Sequence, residues 1–150
     1  MCLFTSSATD LIVDISGYFV AVTNKFTPLS APQRVLDTRP GMPTADGAFG
    51  GLGMAGDGNI AQLPIAGRVG VPPTAQTVTL NIAVTESTLP GFITVFPCGS
   101  AIPTAANLNY VANDTVSNSV IAKVGAGGTV CIFNSAATHL VVDESGTLSS

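Results

Sequence analysis

The same sequence ending occurs twice in this chain, and the duplication constrains the fold more than any other feature. Residues 2–17 match residues 131–146 almost position for position, and both stretches close on Asp-x-Ser-Gly. One long unit therefore lies between two copies of a single motif. We interpret residues 23–150 as one full copy of a tandem repeat, and residues 1–22 as the terminal hairpin of the copy before it. Met1 then falls inside a repeat motif, and we do not expect it to be a native N-terminus.

The composition favours a single all-β domain. The chain has 150 residues, which is enough for one domain with its own hydrophobic core. Hydrophobic residues make up 46% of it and charged residues 9%, while 16 glycines and 10 prolines interrupt the apolar segments. This combination is typical of a β-sandwich or a β-barrel. No apolar period of about 3.6 residues persists along the chain, so we predict an antiparallel β-sandwich with almost no helix.

Alternating apolar residues locate the strands. The clearest strand spans residues 77–85, where aliphatic residues at every second position face one side and small or polar residues face the other. The turn chemistry of Leu89-Pro90-Gly91 predicts that residues 91–96 return as the second strand of a hairpin. Further strands are predicted at residues 2–5, 10–15, 60–65, 107–110, 119–124 and 129–133.

Prolines and glycines shape the two segments that precede the clearest strand. Pro28, Pro32 and Pro40 exclude a helix from residues 26–40 and confine any strand there to a sheet edge. Residues 41–70 are rich in glycine and weakly patterned. Such a segment is either a functional surface or a set of short strands joined by tight turns.

Charge and hydropathy exclude two classes of partner. Five basic residues stand against nine acidic ones, and neither sign is clustered, so the chain lacks the electrostatic footprint of a DNA- or RNA-binding protein. No apolar run approaches the roughly 18 residues that span a bilayer. We therefore expect neither nucleic-acid binding nor membrane insertion.

No arrangement of reactive side chains predicts an enzyme. His139, the only histidine, is near Ser135 in sequence but roughly 13 Å from Asp143 along an extended strand, at about 3.3 Å per residue. We expect a surface histidine and no catalytic residues. Asp10 with Asp14, or Asp46 with Asp57, offer oxygen ligands for Ca²⁺, but the spacing of a calcium-binding loop is missing. We predict no metal site and no cofactor.

Charged residues concentrate at one place in this weakly charged chain. Arg34, Asp37 and Arg39 fall within six positions. One interpretation is a structural network in which arginine pins an edge segment to Asp37 and to loop carbonyls. The other is a recognition site for a carboxylate or a sugar hydroxyl, because a guanidinium presents a planar set of donors. Arg68 is a further member of this candidate cluster.

Neutral polar faces raise the possibility of a sugar ligand. Threonine, serine and asparagine dominate the polar sides of the predicted strands, and Tyr18 and Tyr110 offer ring faces. Hydroxyl and amide hydrogen bonds beside an exposed ring would suit polysaccharide. The alternative is a solvated sandwich face that has no ligand.

The cysteines indicate an oxidising compartment. Cys98 ends one predicted strand and Cys131 lies in another, an arrangement that suits a cross-strand or cross-sheet disulfide. Cys2 is the repeat counterpart of Cys131, so its partner would belong to the preceding copy, and we expect it to be a free thiol. We therefore predict an extracellular or cell-surface location.

Several motifs together resemble a repeat domain of secreted bacterial proteins that is common in actinobacteria. The resemblance covers residues 26–146 and rests on Leu36-Asp37-Thr38-Arg39, Asn107-Leu108-Asn109-Tyr110, residues 124–131 and the Val-Val-Asp-x-x-Gly ending. It implies an exported, non-catalytic β-domain, often in tandem or beside hydrolase domains, and it implies no particular ligand. The family ending normally continues as Tyr-Phe, as at Tyr18-Phe19. The chain departs from that pattern at Thr147-Leu148.

We expect a non-catalytic structural or adhesive module of a repeat-containing surface protein, with neighbouring copies of itself as partners. One domain offers a single place for the duplicated ending, so the first copy either packs onto its own domain as an extra edge or completes a neighbouring chain by strand addition. Repeated head to tail, this contact would build a filament. A carbohydrate- or cell-wall-binding module is the alternative. The residues assigned to the self-association hairpin are Leu3, Phe4, Leu11, Val13, Ile15, Tyr18 and Phe19.

Overall fold

The protein is a two-sheet β-sandwich, as the sequence predicts. The structure is a computed structural model that describes residues 25–149 together with Ala8. Its strands are β1 (Lys25–Asp37), β2 (Asn59–Pro64), β3 (Thr77–Thr85), β4 (Gly91–Pro97), β5 (Leu108–Tyr110), β6 (Val116–Lys123), β7 (Thr129–Asn134) and β8 (His139–Ser149). Within the described residues, the only helical segment is a three-residue 3₁₀ turn at Ala126–Gly128.

The strands form two four-stranded antiparallel sheets. Sheet I has the order β1-β8-β3-β6, and sheet II has the order β2-β7-β4-β5. In sheet I, Lys25 at the start of β1 pairs with Ser149 at the end of β8. The first and last strands of the unit therefore begin and end side by side, at the same end of the sandwich.

The second copy of the duplicated ending forms β7 and β8, which are two of the four inner strands. β7 lies between β2 and β4, and β8 lies between β1 and β3. The two strands do not pair with each other, because residues 135–138 carry the chain from sheet II to sheet I. The hairpin predicted for residues 1–22 lies, apart from Ala8, outside the described residues. Its counterpart in the second copy is this crossing between sheets.

The core lies between the two sheets and follows the predicted alternation of β3. Every second residue of β3 is buried, and the residues between them are partly exposed. The same inward pattern continues on the central strands, where Val130, Ile132, Leu140 and Val142 are fully buried. Each such side chain contributes about 1.5–3 kcal/mol through its removal from water. The three strands β3, β7 and β8 thus supply eight of the twenty buried residues of the core among the described residues.

The hairpin predicted for β3 and β4 is wrong. β4 exists where the sequence places it, but it pairs with β5 and β7, whereas β3 pairs with β6 and β8. Residues 86–90 cross from sheet I to sheet II, and the buried Ser87 anchors this connection by donating a hydrogen bond to the carbonyl oxygen of Val111 at 2.8 Å. Consecutive strands of a sandwich can lie in either sheet, since both sheets offer one buried face to an alternating strand.

β1 is an edge strand, as its prolines predict, and the glycine-rich segment seals the end of that edge. Ala45 donates a backbone hydrogen bond to the oxygen of Arg34 at 2.8 Å, and Gly51 donates one to the oxygen of Asp37 at 2.8 Å. A covered edge cannot pair with another chain. Residues 41–58 are thus a surface segment that protects β1, and they lead into the short strand β2.

Cys98 and Cys131 form a disulfide, as predicted. Cys131 lies in β7 opposite Phe96 of the neighbouring strand β4, and Cys98 follows the last residue of β4. The two Cα atoms are 5.0 Å apart. The bridge joins two paired strands of sheet II and fixes the start of the loop that leads to β5.

Candidate functional site

The predicted cluster of charges assembles around one buried carboxylate. The side chain of Asp37 is fully buried at the end of β1 and accepts hydrogen bonds from Arg34 at 2.8 Å and from Arg39 at 2.7 Å and 2.9 Å. Arg34 also binds Asp143 of β8 through two hydrogen bonds of 2.6 Å and 3.1 Å. The cluster therefore contains two arginines and two aspartates, and it joins β1 to β8.

The charges of this cluster are balanced internally. Burial alone would raise the pKa of Asp37, but hydrogen bonds from Arg39 and Arg34 outweigh it and lower the pKa below its ordinary value. The hydrogen bond with Asp143 likewise raises the pKa of Arg34. Because each guanidinium already faces a carboxylate, the geometry favours the structural network over recognition of an external carboxylate.

Arg68 does not join this cluster. Its guanidinium binds Asp46 at 2.8 Å, donates to the carbonyl oxygen of Pro64 at 2.8 Å and lies 4.8 Å from the ring centre of Phe49. The hydrogen bond from Arg68 lowers the pKa of Asp46 to about 2. Arg68 therefore holds the glycine-rich segment against the sandwich.

Of the aspartates considered for Ca²⁺, Asp10 and Asp14 lie outside the described residues, and Asp46 and Asp57 have other partners. Asp46 binds Arg68, and Asp57 accepts a hydrogen bond from the backbone amide of Ala137 at 2.6 Å. Across residues 25–149, no group of three or more histidine, cysteine, aspartate or glutamate side chains is placed to hold a metal ion. That same range contains no helix long and apolar enough to cross a membrane.

His139 is buried, so the prediction of a surface histidine is wrong. Its Nδ1 lies 2.9 Å from the hydroxyl oxygen of Thr38, which also accepts a hydrogen bond from the backbone amide of Leu140 at 2.9 Å. The burial follows from the central position of β8, whose start is covered by the chain that leaves β1. The side chains of Ser135 and Asp143 have other partners, the Phe92 amide and Arg34.

Tyr110 is also buried, so it cannot offer an exposed ring to a sugar as the sequence suggested. Its side chain is 4% exposed, and its hydroxyl donates a hydrogen bond to the carbonyl oxygen of Ala136 at 2.8 Å. Tyr110 faces inward because the side chains of β5 alternate. The first and last residues of the strand, Leu108 and Tyr110, are buried, and Asn109 between them is exposed.

Two phenylalanines, the exposed Phe92 and the half-buried Phe133, provide ring faces instead. Phe92 of β4 and Phe133 of β7 lie on the outer face of sheet II, with ring centres 5.8 Å apart and ring planes inclined at 51°. Residues 102–106 form the opposite wall of a groove of about 450 Å³, which we call the aromatic groove. Thr94 holds this wall by donating a hydrogen bond to the carbonyl oxygen of Ala105 at 2.7 Å.

The aromatic groove is neutral. No charged side chain lines it, and its polar groups include the exposed residues Thr104 and Asn109. Ring faces beside an amide and a hydroxyl can stack on a sugar ring and bind its hydroxyls. Sequence reasoning missed this site, although Phe92 and Phe133 both stand at the outward positions of predicted strands.

Glu144 is a buried carboxyl group that sequence reasoning also missed. It is fully buried in β8 opposite the core residue Leu80, and neither carboxyl oxygen has a hydrogen-bond partner. Burial raises its pKa to about 7, and the nearby backbone amide of Gly146 offsets only part of that effect. Its counterpart in the first copy is Ile15. An acidic residue at an apolar position of the motif was therefore the sequence signal that could have predicted a buried carboxyl group.

Seven site residues predicted from the sequence lie outside the described residues. They are the self-association residues Leu3, Phe4, Leu11, Val13, Ile15, Tyr18 and Phe19. The structure therefore gives no geometry for the contact that was expected of them.

Comparison with protein-family models, with curated proteins and with solved structures finds no match to this chain. The resemblance to a secreted bacterial repeat domain accordingly stays an expectation from the motifs. Function has to be inferred from the residues and their geometry.

Proposed function

We propose that this protein is a non-catalytic structural or adhesive module of an extracellular, repeat-containing surface protein, and that neighbouring copies associate through residues 2–19. We call residues 2–19 the N-terminal copy. The observation that carries the proposal is the position of the second copy, whose strands β7 and β8 are each an inner strand of one sheet.

Inner strands have particular sequence requirements. A strand with neighbours on both sides needs apolar residues on its buried face and few prolines, and the N-terminal copy has the same pattern as β7 and β8. Within residues 25–149 all four inner positions are already filled, by β7 and β8 of the second copy and by β3 and β4. The N-terminal copy is therefore a surplus pair of strand sequences, which we propose to pair with a neighbouring copy.

β6 offers the most accessible edge for such pairing. It has eight residues without proline, and no described strand pairs with its outer side. β5 has only three residues, β2 ends at Pro64, and the end of β1 is covered by residues 41–58. Strand addition requires an edge with free backbone groups, so β6 is the acceptor that we assign in the neighbouring copy.

The disulfide supports the extracellular part of the proposal. Disulfides persist in oxidising compartments and are rare in the bacterial cytoplasm. The Cys98–Cys131 bridge is thus compatible with a protein that is exported to the cell surface.

The test is the size of the intact chain compared with that of a chain lacking residues 1–22, measured by light scattering at matched concentrations. We expect the intact chain to assemble and the shortened chain to stay monomeric. Equal assembly of the two would refute the role of the N-terminal copy.

A full-length variant provides a second test. Val13→Asp places a charge on the apolar face of the N-terminal copy, and we expect it to abolish assembly. Leu52→Asp is the matched control, because Leu52 is 64% exposed in a loop. If both variants or neither of them reduce assembly, association does not proceed through the face that contains Val13.

The aromatic groove supports a second candidate function, a carbohydrate- or cell-wall-binding module. It contains two ring faces and neutral polar groups without a charge, which suits a neutral polysaccharide. This function does not exclude the first, since the groove lies on sheet II and β6 lies in sheet I.

A glycan array with the wild-type protein and three variants tests this second function. Phe92→Ala should weaken binding roughly tenfold, about 1.4 kcal/mol, because it removes one ring of the groove. Arg39→Ala and the exposed apolar control Leu89→Ala should retain binding. Absence of wild-type signal, or equal loss in all three variants, would count against the groove as a sugar site.

A further inference from the structure

A second groove lies on the outer face of sheet I, at the end where β1 begins. It has a volume of about 510 Å³ and is lined by Phe26, Thr79, Leu80, Ser119, Val120, Ile121 and Ser145. We call it the Phe26–Ile121 groove. Ile121 is 61% exposed, more than any other large apolar residue in a described strand. Such a residue in the middle of a strand marks a surface that an apolar group can cover.

The floor of this groove depends on a glycine of the repeat motif. A Cβ atom on Gly146 would lie 2.7 Å from the ring of Phe26, so the ring rests directly over the glycine. Thr79 on the next strand donates a hydrogen bond to the carbonyl oxygen of Gly146 at 3.0 Å. The N-terminal copy keeps this glycine as Gly17, directly before Tyr18-Phe19.

The repeat alignment places one aromatic residue of the preceding copy at an outer position. Phe19 corresponds to Leu148, which pairs with Thr77 of β3. Thr77 faces outward, since its neighbour Val78 is fully buried. A preceding unit of the same fold would therefore present Phe19 on its outer face.

The linker between the N-terminal copy and β1 is short, so it keeps Phe19 close to the groove. Val20 corresponds to Ser149, the last residue of β8, and β1 begins at Lys25, so only residues 21–24 join the two copies. An extended chain covers roughly 17 Å from Val20 to Lys25 and roughly 23 Å from Phe19 to Phe26. The groove spans three strand spacings from β1 to β6, roughly 14 Å. Phe19 can therefore reach all of it.

We propose that the Phe26–Ile121 groove receives the side chain of Phe19 from the same chain, and that this contact is the joint between consecutive repeat units. The joint sets the angle between one unit and the next, because it adds a side-chain contact to the short covalent link. It does not depend on assembly between chains. If the protein is monomeric and Phe19 occupies the groove, the proposed function is refuted and the joint between units is supported.

Methyl NMR of the full-length protein tests the joint. With isoleucine methyl groups labelled, we expect nuclear Overhauser contacts from the Phe19 ring to Ile121, and a ring-current shift of the Ile121 methyl resonance that is lost in Phe19→Ala. Ile60 is the matched control, because it is 41% exposed on a strand of sheet II. Its resonance should be the same in both proteins.

Three outcomes of the experiments on wild type and Phe19→Ala would overturn the proposal. An Ile121 resonance that does not change in Phe19→Ala shows that the groove has no such occupant. A shift that fades on dilution shows that Phe19 comes from another chain. Equal changes at Ile60 and Ile121 show a general effect on the fold. The reciprocal variant Ile121→Ser should change the Phe19 ring resonances, and unchanged ring resonances would also count against the joint.

Discussion

Replacement of Glu144 by isoleucine should stabilise the protein, and more so at pH 8 than at pH 4.5. The position faces the core opposite Leu80, and the repeat motif itself carries Ile15 there. At acid pH the carboxyl group is neutral but has no hydrogen-bond partner. Removal of an unsatisfied buried polar group and its replacement by an apolar one should contribute about 1–3 kcal/mol to the free energy of unfolding.

Ionisation adds a second, pH-dependent contribution. The folded protein holds the proton of Glu144 up to about pH 7, whereas the unfolded chain releases it near the ordinary pKa of 4.5. The unfolded state binds fewer protons than the folded state between these two values, so stability is full below about pH 4.5 and falls as the pH rises towards 7. The loss amounts to about 3 kcal/mol, at about 1.4 kcal/mol per unit of pKa.

Urea unfolding at pH 4.5, 6 and 8 measures both contributions. Glu144→Ile should be more stable than the wild type at each pH, and its advantage should grow by about 3 kcal/mol from pH 4.5 to pH 8. Glu144→Gln should abolish the contribution of this residue to the pH dependence of stability. It should not give the stabilisation that an apolar side chain provides. Glu86→Gln is the matched control at an exposed glutamate. Parallel pH profiles of the wild type and both Glu144 variants would refute the reasoning.

Three further outcomes follow from the contacts described. Asp37→Asn should lower the free energy of unfolding by about 2 kcal/mol. Loss of one partner of a fully buried ion pair costs roughly 3–5 kcal/mol, and we expect less here because the two arginines are partly exposed. The control variant Asp114→Asn should change the free energy of unfolding little. Urea unfolding of the two variants decides this, and equal stabilities would contradict it. Replacement of both Cys98 and Cys131 by alanine should cost about 4 kcal/mol, since their bridge closes a loop of 33 residues. In the native protein, mass spectrometry after alkylation should find a single modified thiol, at Cys2, and two modified cysteines without reduction would contradict this.

Local pattern predicted the strands better than it predicted their partners. β3 was found at its exact bounds because one of its faces is apolar and the other polar over nine residues. The same alternation in β4 says that one face is buried but not in which sheet, and so its pairing with β3 was wrong. The Arg34–Asp143 contact spans 109 positions of sequence, and only the pairing of β1 with β8 brings the two side chains together.

The buried polar residues show a related limit. His139 was assigned to the surface because single histidines usually lie there, but the central position of β8 and the hydroxyl of Thr38 provide it with a buried site. Glu144 was predictable in principle. Leu11, Val13 and Ile15 share one face of the first copy, so an acid at the third of these positions had to face the core. The aromatic groove was not predictable from alternation alone, since its second wall comes from an irregular loop held by Thr94.

The pairing of Lys25 with Ser149 also determines how the unit would respond to a pulling force. In an array of such units, tension enters at the start of β1 and leaves at the end of β8, on adjacent antiparallel strands. The load then acts across the ladder rather than along it, and the hydrogen bonds open one after another instead of resisting together. Each unit would yield at a low force by peeling β1 away, and the Cys98–Cys131 bridge would then stop the extension of the 33-residue segment that it closes. A surface protein built from this unit would act as an extensible tether with a built-in limit.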